Sequence, residues 1–260
     1  MIPRPQPNGE LILIPQTDHS RLVGQLAAHW GNDQFATPAP YDSVVRAATF
    51  HDFGHLTYET NPLLNKVSGE TYIFRDIPFE PHTLDSYQWC VDWLAGVDPY
   101  SGLLVSMHRT GLWQGRYGTI AEPAGRMNPK GQRPEIQEFI TRNEAWQAQQ
   151  RALLEENGVA TNYHWLQVWD LLGLYFCCQE PCDDAIAPVP LGYEAGGGVR
   201  LTMTPSGDRQ VRFDPYPFDV RPLGIQINCL RLPATTFPDE ASFHRAYFQA
   251  EHDVLRYEIV

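Results

Sequence analysis

With 260 residues, 43% of them hydrophobic and 19% charged, the chain can bury a sizeable core and has a globular composition, neither disordered nor fibrous. Its formal net charge of −12 argues against a general nucleic-acid binder, which presents a basic face. No apolar run approaches the ~20 residues that span a bilayer, no leader precedes Asn8, and the five cysteines lack a paired spacing, so a cytoplasmic, reducing setting with no membrane partner is expected.

Leu11 to Ile14 reads as a short strand. Thr17 or Asp18 can cap a helix that buries Leu22, Val23, Leu26 and Ala27 and stops at Gly31-Asn32, with His19 in its first turn and His29 near its end. Tyr41 to Phe50 forms a second helix that runs directly into His51-Asp52-Phe53-Gly54-His55. Ionisable groups at the end of an apolar helix are costly unless something pairs with them, and a metal ion would do so. Residues 56–81, with Asn61-Pro62 and two further prolines, read as a long irregular connection.

His82 opens a helix carrying Leu84, Tyr87, Trp89, Val91 and Trp93, stopped by Gly96 and Pro99. The next apolar segment, Ser101 to Met107, ends at His108. Residues 112–134, rich in Gly and Pro, read as a loop or lid. Between Arg109 and Arg133 five basic residues (Arg109, Arg116, Arg126, Lys130, Arg133) face one acid, Glu122. In so acidic a chain this is a candidate funnel for a small anionic substrate, with Arg109, Arg116 and Arg126 among its expected contacts.

A long polar helix from Pro134 to Glu156 precedes the segment from His164 to Phe176, where Asp170 is the only charged side chain among apolar and aromatic neighbours. A carboxylate there needs a cation or strong hydrogen bonds to stay ionised. Cys177, Cys178 and Cys182 lack the second pair that a structural zinc site requires and read as buried thiols at a helix end. Val199 to Thr204 and Gln210 to Phe213 form a β-hairpin, Leu223 to Leu232 and Arg256 to Val260 further strands, and Asp239 to Leu255 a helix. The expected fold is therefore mainly α: a metal-binding helical core over residues 16–182, then a small β-rich appendage over 183–260, joined by the N-terminal strand 10–15.

Collected in order, His19, His51, Asp52, His82, His108 and Asp170 can enclose two divalent ions. Asp52 would bridge them, with His19, His51 and Asp170 on one ion and His82 and His108 on the other. Nitrogen and oxygen donors without thiolate suit Fe, Mn or Zn. This order resembles the HD-domain superfamily, an all-helical metal-dependent fold in which a His, a later His-Asp pair, further histidines and a final Asp converge; the resemblance covers residues 16–178. It implies one of two chemistries. The commoner is hydrolysis of a small phosphorylated substrate assisted by divalent ions, with Asp52 and His55 as catalytic groups and His55 the general acid. Lys66 would then join the basic stretch in recognising the phosphate. The rarer is that of the mixed-valence di-iron oxygenases acting on inositol or phosphonates, for which iron is the expected metal. A metal-containing binding or sensor protein is a third reading. His82 bears on the choice: with it the site holds two metals, and without it one metal and hydrolysis are favoured.

Overall fold

The computed structural model describes residues 1–115, 129–154, 158–194 and 196–260. Its strands are β1 (Ile2–Pro5), β2 (Leu11–Ile14), β3 (Asp184–Pro190), β4 (Gly198–Gly207), β5 (Gln210–Asp214), β6 (Leu223–Leu232) and β7 (Glu251–Ile259). They join in the order β1-β2-β6-β7-β5-β4-β3, all neighbours antiparallel except the parallel pair β5 and β7. The helices are α1 (Gln16–Ala28), α2 (Tyr41–Phe50), α3 (Leu56–Thr60), α4 (Pro81–Val97), α5 (Pro99–Gln114), α6 (Pro134–Leu153), α7 (Val159–Cys178) and α8 (Glu240–Phe248).

This architecture corrects the expected fold class. With 48% helix, 22% strand and a mixed, curled seven-stranded sheet, the protein is α/β rather than mainly helical with a small β appendage. Two strands escape the sequence pattern, β1 (Ile-Pro-Arg-Pro) and β3 (Asp-Ala-Ile-Ala-Pro-Val-Pro). Both are edge strands of the sheet, where a proline costs no ladder hydrogen bond on the open side. A third correction lies at the C-terminus. The capping box of Asp239 and Ser242 starts α8, but the helix stops at Phe248 and β7 begins at Glu251, burying Leu255, Tyr257 and Ile259 in alternation.

One apolar core joins sheet and helices. Ile2, Ile12, Ile14, Ile225, Ile227 and Tyr257 from the strands pack in the same cluster as Leu22, Leu26, Ala48, Leu103, Trp165 and Phe176 from the helices. β2 explains its own unbroken apolar sequence: Ile12 and Ile14 enter this core, while Leu11 and Leu13 enter a second cluster with Phe237, Phe243 and Tyr247 beneath α8. A strand covered on both faces needs no polar alternation. Helix α1 is tied to β6 by a reciprocal pair, Gln25 Nε2 donating to Gln226 O (2.8 Å) and the Gln226 N–H donating to Gln25 Oε1 (3.1 Å).

Several local expectations shift. Helix α1 starts at Gln16 after Pro15, without a side-chain cap; Thr17 instead donates its N–H and hydroxyl to Glu59 at 2.9 and 2.6 Å. Residues 56–81 contain the short α3. His108 sits inside α5, not at its end, because the helix runs on to Gln114 and closes at Gly115 in the left-handed conformation (φ 65°). Of the three clustered cysteines only Cys177 is buried.

Candidate metal centre

Small residues bring the three site-bearing helices together. Where α1 meets α2, a Cβ on Gly24 would lie 2.9 Å from Thr49 Cα, a contact no real side chain tolerates. Between α1 and α7, a Cβ on Gly173 would stand 2.7 Å from His19 Cε1. The His19 ring therefore approaches the bare backbone of α7 closely, one turn beyond Asp170. Beyond α2 the chain tightens into a 3-10 turn over Phe53–His55, which turns Asp52 and His55 towards the same interior.

His19, His51, Asp52 and Asp170 are all buried, and each offers a donor atom within 4.8 Å of the others. His19 Nε2 lies 2.9 Å from Asp170 Oδ1, and His51 Nε2 lies 3.4 Å from the same oxygen and 3.7 Å from Asp52 Oδ2. His51 Nδ1 is 2.8 Å from Ala48 O and 3.0 Å from Ser20 Oγ. A proton on Nδ1 donated to the carbonyl leaves the Nε2 lone pair facing the carboxylates, the arrangement that orients a metal-ligating imidazole. Among the described residues His51 Nε2 has no well-formed hydrogen bond. A buried, converging set of two imidazoles and two carboxylates fits a divalent ion and can hold one.

The electrostatics agree with the geometry. Burial alone would raise the Asp170 carboxyl, yet its contacts with His19 and His51 hold it well below the usual carboxylate range. Asp52 is likewise pushed up by burial but held far down by His51, His108, His55 and Arg109. Burial lowers His51, but the two carboxylates and the Ala48 carbonyl outweigh it and raise the imidazole. His55 and His108 are lowered, chiefly by burial. Two buried, ionised carboxylates thus face each other across neighbouring imidazoles, a demand for positive charge.

The remaining expected site residues divide. His108 stands beside the quartet, its ring edge-on to His51 at 4.7 Å and its Nε2 3.6 Å from Asp52 Oδ1. His55 is buried at the same carboxylate, Nε2 to Oδ1 3.8 Å. His82 is exposed in the first turn of α4, with its ring 5.9 Å from Tyr58, and lies outside the metal-capable group. It shares a cleft of about 470 Å³ with Lys66, Tyr58 and Glu240, in which Lys66 Nζ is 3.3 Å from Glu240 Oε2. Arg109 is buried in α5 with Nη2 2.8 Å from Asp52 Oδ1. Arg116 and Arg126 fall outside the described residues. Of the other basic residues, Lys130 donates to the carbonyls of Arg75 and Ile77, and Arg133 lies over the Phe79 ring.

Sequence reasoning missed Gln16, whose Nε2 donates to Asp52 Oδ2 at 2.9 Å, and Ser20, whose Oγ receives the Asp52 N–H. The signal for Gln16 was present, since a residue three before His19 shares its helix face. Nothing local marks Gly173.

Fold and site together define an α/β protein whose helical layer encloses a buried His/Asp group able to hold a metal ion. The chain belongs to the family described as a protein of unknown function (DUF3891), matched over residues 1–234. Neither a curated protein nor a solved structure matches it. Among the described residues no helix is long and apolar enough to cross a membrane.

Proposed function

We propose that this protein is a metal-dependent hydrolase of a small phosphorylated substrate, with a divalent ion held by His19, His51, Asp52 and Asp170. The observation that carries the reading is the buried quartet itself, in which two imidazoles and two ionised carboxylates converge from α1, the end of α2 and α7. A divalent ion bound there supplies Lewis acidity, acidifying water and neutralising phosphoryl charge. The protein's own groups prepare for it. Ser20 and the Ala48 carbonyl orient His51, and Gln16 and Arg109 fix the two oxygens of Asp52. His55, whose buried Nδ1 has no hydrogen-bond partner among the described residues, would be the group that exchanges a proton with substrate or water. The exposed position of His82, one of the two histidines expected on a second ion, favours hydrolysis over the di-iron oxygenase.

The test is metal analysis combined with assay. Full-length protein is stripped, reloaded with Mn²⁺, Zn²⁺ or Fe²⁺ and offered aryl phosphates and nucleotides. Metal-dependent phosphate release that disappears in Asp52→Ala is the expected result. Two equivalents of iron with a mixed-valence paramagnetic signal would replace the hydrolase by the oxygenase. Loaded protein that releases phosphate from no member of the panel would leave a binding or sensor role.

A further inference from the structure

One strong contact in the centre is not needed to hold an ion in the quartet. Asp52 turns its two carboxylate oxygens in different directions. Oδ2 faces the quartet, with Gln16 Nε2 at 2.9 Å and His51 Nε2 at 3.7 Å. Around Oδ1 are Arg109 Nη2 at 2.8 Å, His108 Nε2 at 3.6 Å and His55 Nε2 at 3.8 Å. A carboxylate oxygen with two imidazole nitrogens drawn towards it is a donor arrangement for a second cation. The cation present is a guanidinium.

Its position is built into the fold. Arg109 follows His108 on α5 and is buried, and its guanidinium carbon lies 3.8 Å from the centroid of the Tyr87 ring. Tyr87 can approach because residue 54 is glycine, where a Cβ would lie 2.5 Å from Tyr87 Cδ1. The glycine after the His-Asp pair therefore serves the arginine's platform. Arginine keeps its charge at every accessible pH, stacks on aromatic rings and pairs with carboxylates in fixed geometry, so a guanidinium held this way is a permanent cation.

We propose that Arg109 occupies the second cation position of this centre, restricting it to a single metal ion and making Asp52 a terminal ligand through Oδ2 instead of a bridge. The proposal rests on the metal reading above. Arg109 acts as a positioning residue: it sets the number of ions and the orientation of Asp52, and takes no part in the chemistry. A second divalent ion at Oδ1 would have to displace the guanidinium from both Asp52 and Tyr87.

Counting ions tests this directly. Full-length wild type, Arg109→Lys, Arg109→Met and Arg109→His are stripped with chelator and dialysed against Mn²⁺. Bound equivalents and the paramagnetic resonance spectrum are then recorded. Wild type and Arg109→Lys should hold one equivalent with the spectrum of an isolated ion. Arg109→Met, which keeps the stem without the charge, and Arg109→His, which adds a donor, should take up a second equivalent with a spin-coupled spectrum. Wild type binding two equivalents of similar affinity would overturn the proposal. So would Arg109→Met and Arg109→His both staying at one equivalent while circular dichroism shows them folded; if Arg109→Met fails to fold, Arg109→His and the wild-type count still decide. Wild type binding no Mn²⁺, Zn²⁺ or Fe²⁺ is a different outcome, removing the metal reading itself and this proposal with it.

Discussion

Asp170 sits on an aromatic helix with no charged neighbour in sequence, yet the fold places two imidazole nitrogens at 2.9 and 3.4 Å from its Oδ1. Asp170→Asn keeps the shape but removes the charge that an ion requires. It should lower divalent-metal affinity at least a hundredfold in a calorimetric titration while the far-ultraviolet dichroism is retained; unchanged affinity would remove Asp170 from the ligand set. Gly173 offers a subtler probe, because an added methyl meets His19 and Val23 at 2.7 Å. Alanine in mid-helix is ordinarily favoured over glycine by about 1 kcal/mol. Here Gly173→Ala should instead lower both the melting temperature and the metal affinity, since the His19 ring must move. A melting temperature above wild type would show that α1 yields freely. Binding should also stabilise the fold: an ion at a hundred times its dissociation constant adds about 2.7 kcal/mol, so chelator should depress the melting temperature and added metal restore it.

At the level of the element, the helix that carries His108 and Arg109 depends on its first turn. Asp98 caps α5 by accepting from the Tyr100 N–H at 3.1 Å, and it also accepts from Ser101 Oγ and from Arg46 Nη1 at 2.9 Å. Burial alone would raise this carboxyl, but the hydrogen bonds from Ser101, Ser43 and the backbone overcome it and leave the group below its ordinary value. Asp98→Ala should therefore cost about 1 kcal/mol, the usual worth of an N-cap. The sign of the pH dependence follows from linkage. A depressed carboxyl contributes stability that is complete above its unfolded value, about 3.9, and is lost as pH falls through the folded value. The gap between wild type and Asp98→Ala in urea unfolding should thus be constant near neutrality and narrow below about pH 4. A gap that widens on acidification would contradict the capping role.

Sheet and helices share their interior, and this governs the behaviour of the whole molecule. Ile227 on β6 is fully buried in the cluster that also contains Trp30, Trp165 and Trp169 from the helical side. Ile227→Ala should cost about 2–5 kcal/mol and should lower the unfolding midpoints seen by tryptophan fluorescence and by far-ultraviolet dichroism together. Separate shifts of the two midpoints would show that the layers unfold independently. The curled sheet also positions the centre. β2 leads directly through Pro15 into α1, so pairing of β2 with β6 places Gln16, His19 and Ser20. The strands that looked like an appendage thus anchor the helix that carries His19, the first residue of the metal-capable group.

Much of this was legible in the linear chain where the signal is local. Helix α2 running into His-Asp, the solitary Asp170 and the start of α8 are patterns within one or two turns, and short-range spacing or an uncompensated charge reveals them. The edge strands were hidden because prolines, tolerated at an open edge, erase the alternation that marks a strand. The partners of a buried charge were hidden for a deeper reason. Arg109 looks in sequence like one member of a basic run, just as His82 looks like one member of a histidine series. Desolvation separates them: packing of α4 against both α5 and the 53–55 turn holds Arg109 between Tyr87 and Asp52, while the first turn of α4 leaves His82 at the surface. Residue types and their order pointed to an interior able to hold a cation. Which side chains reach it, and that one of its positions is already held by a guanidinium, follows only from helices brought into contact across Gly24, Gly54 and Gly173, where the missing side chains set the distances.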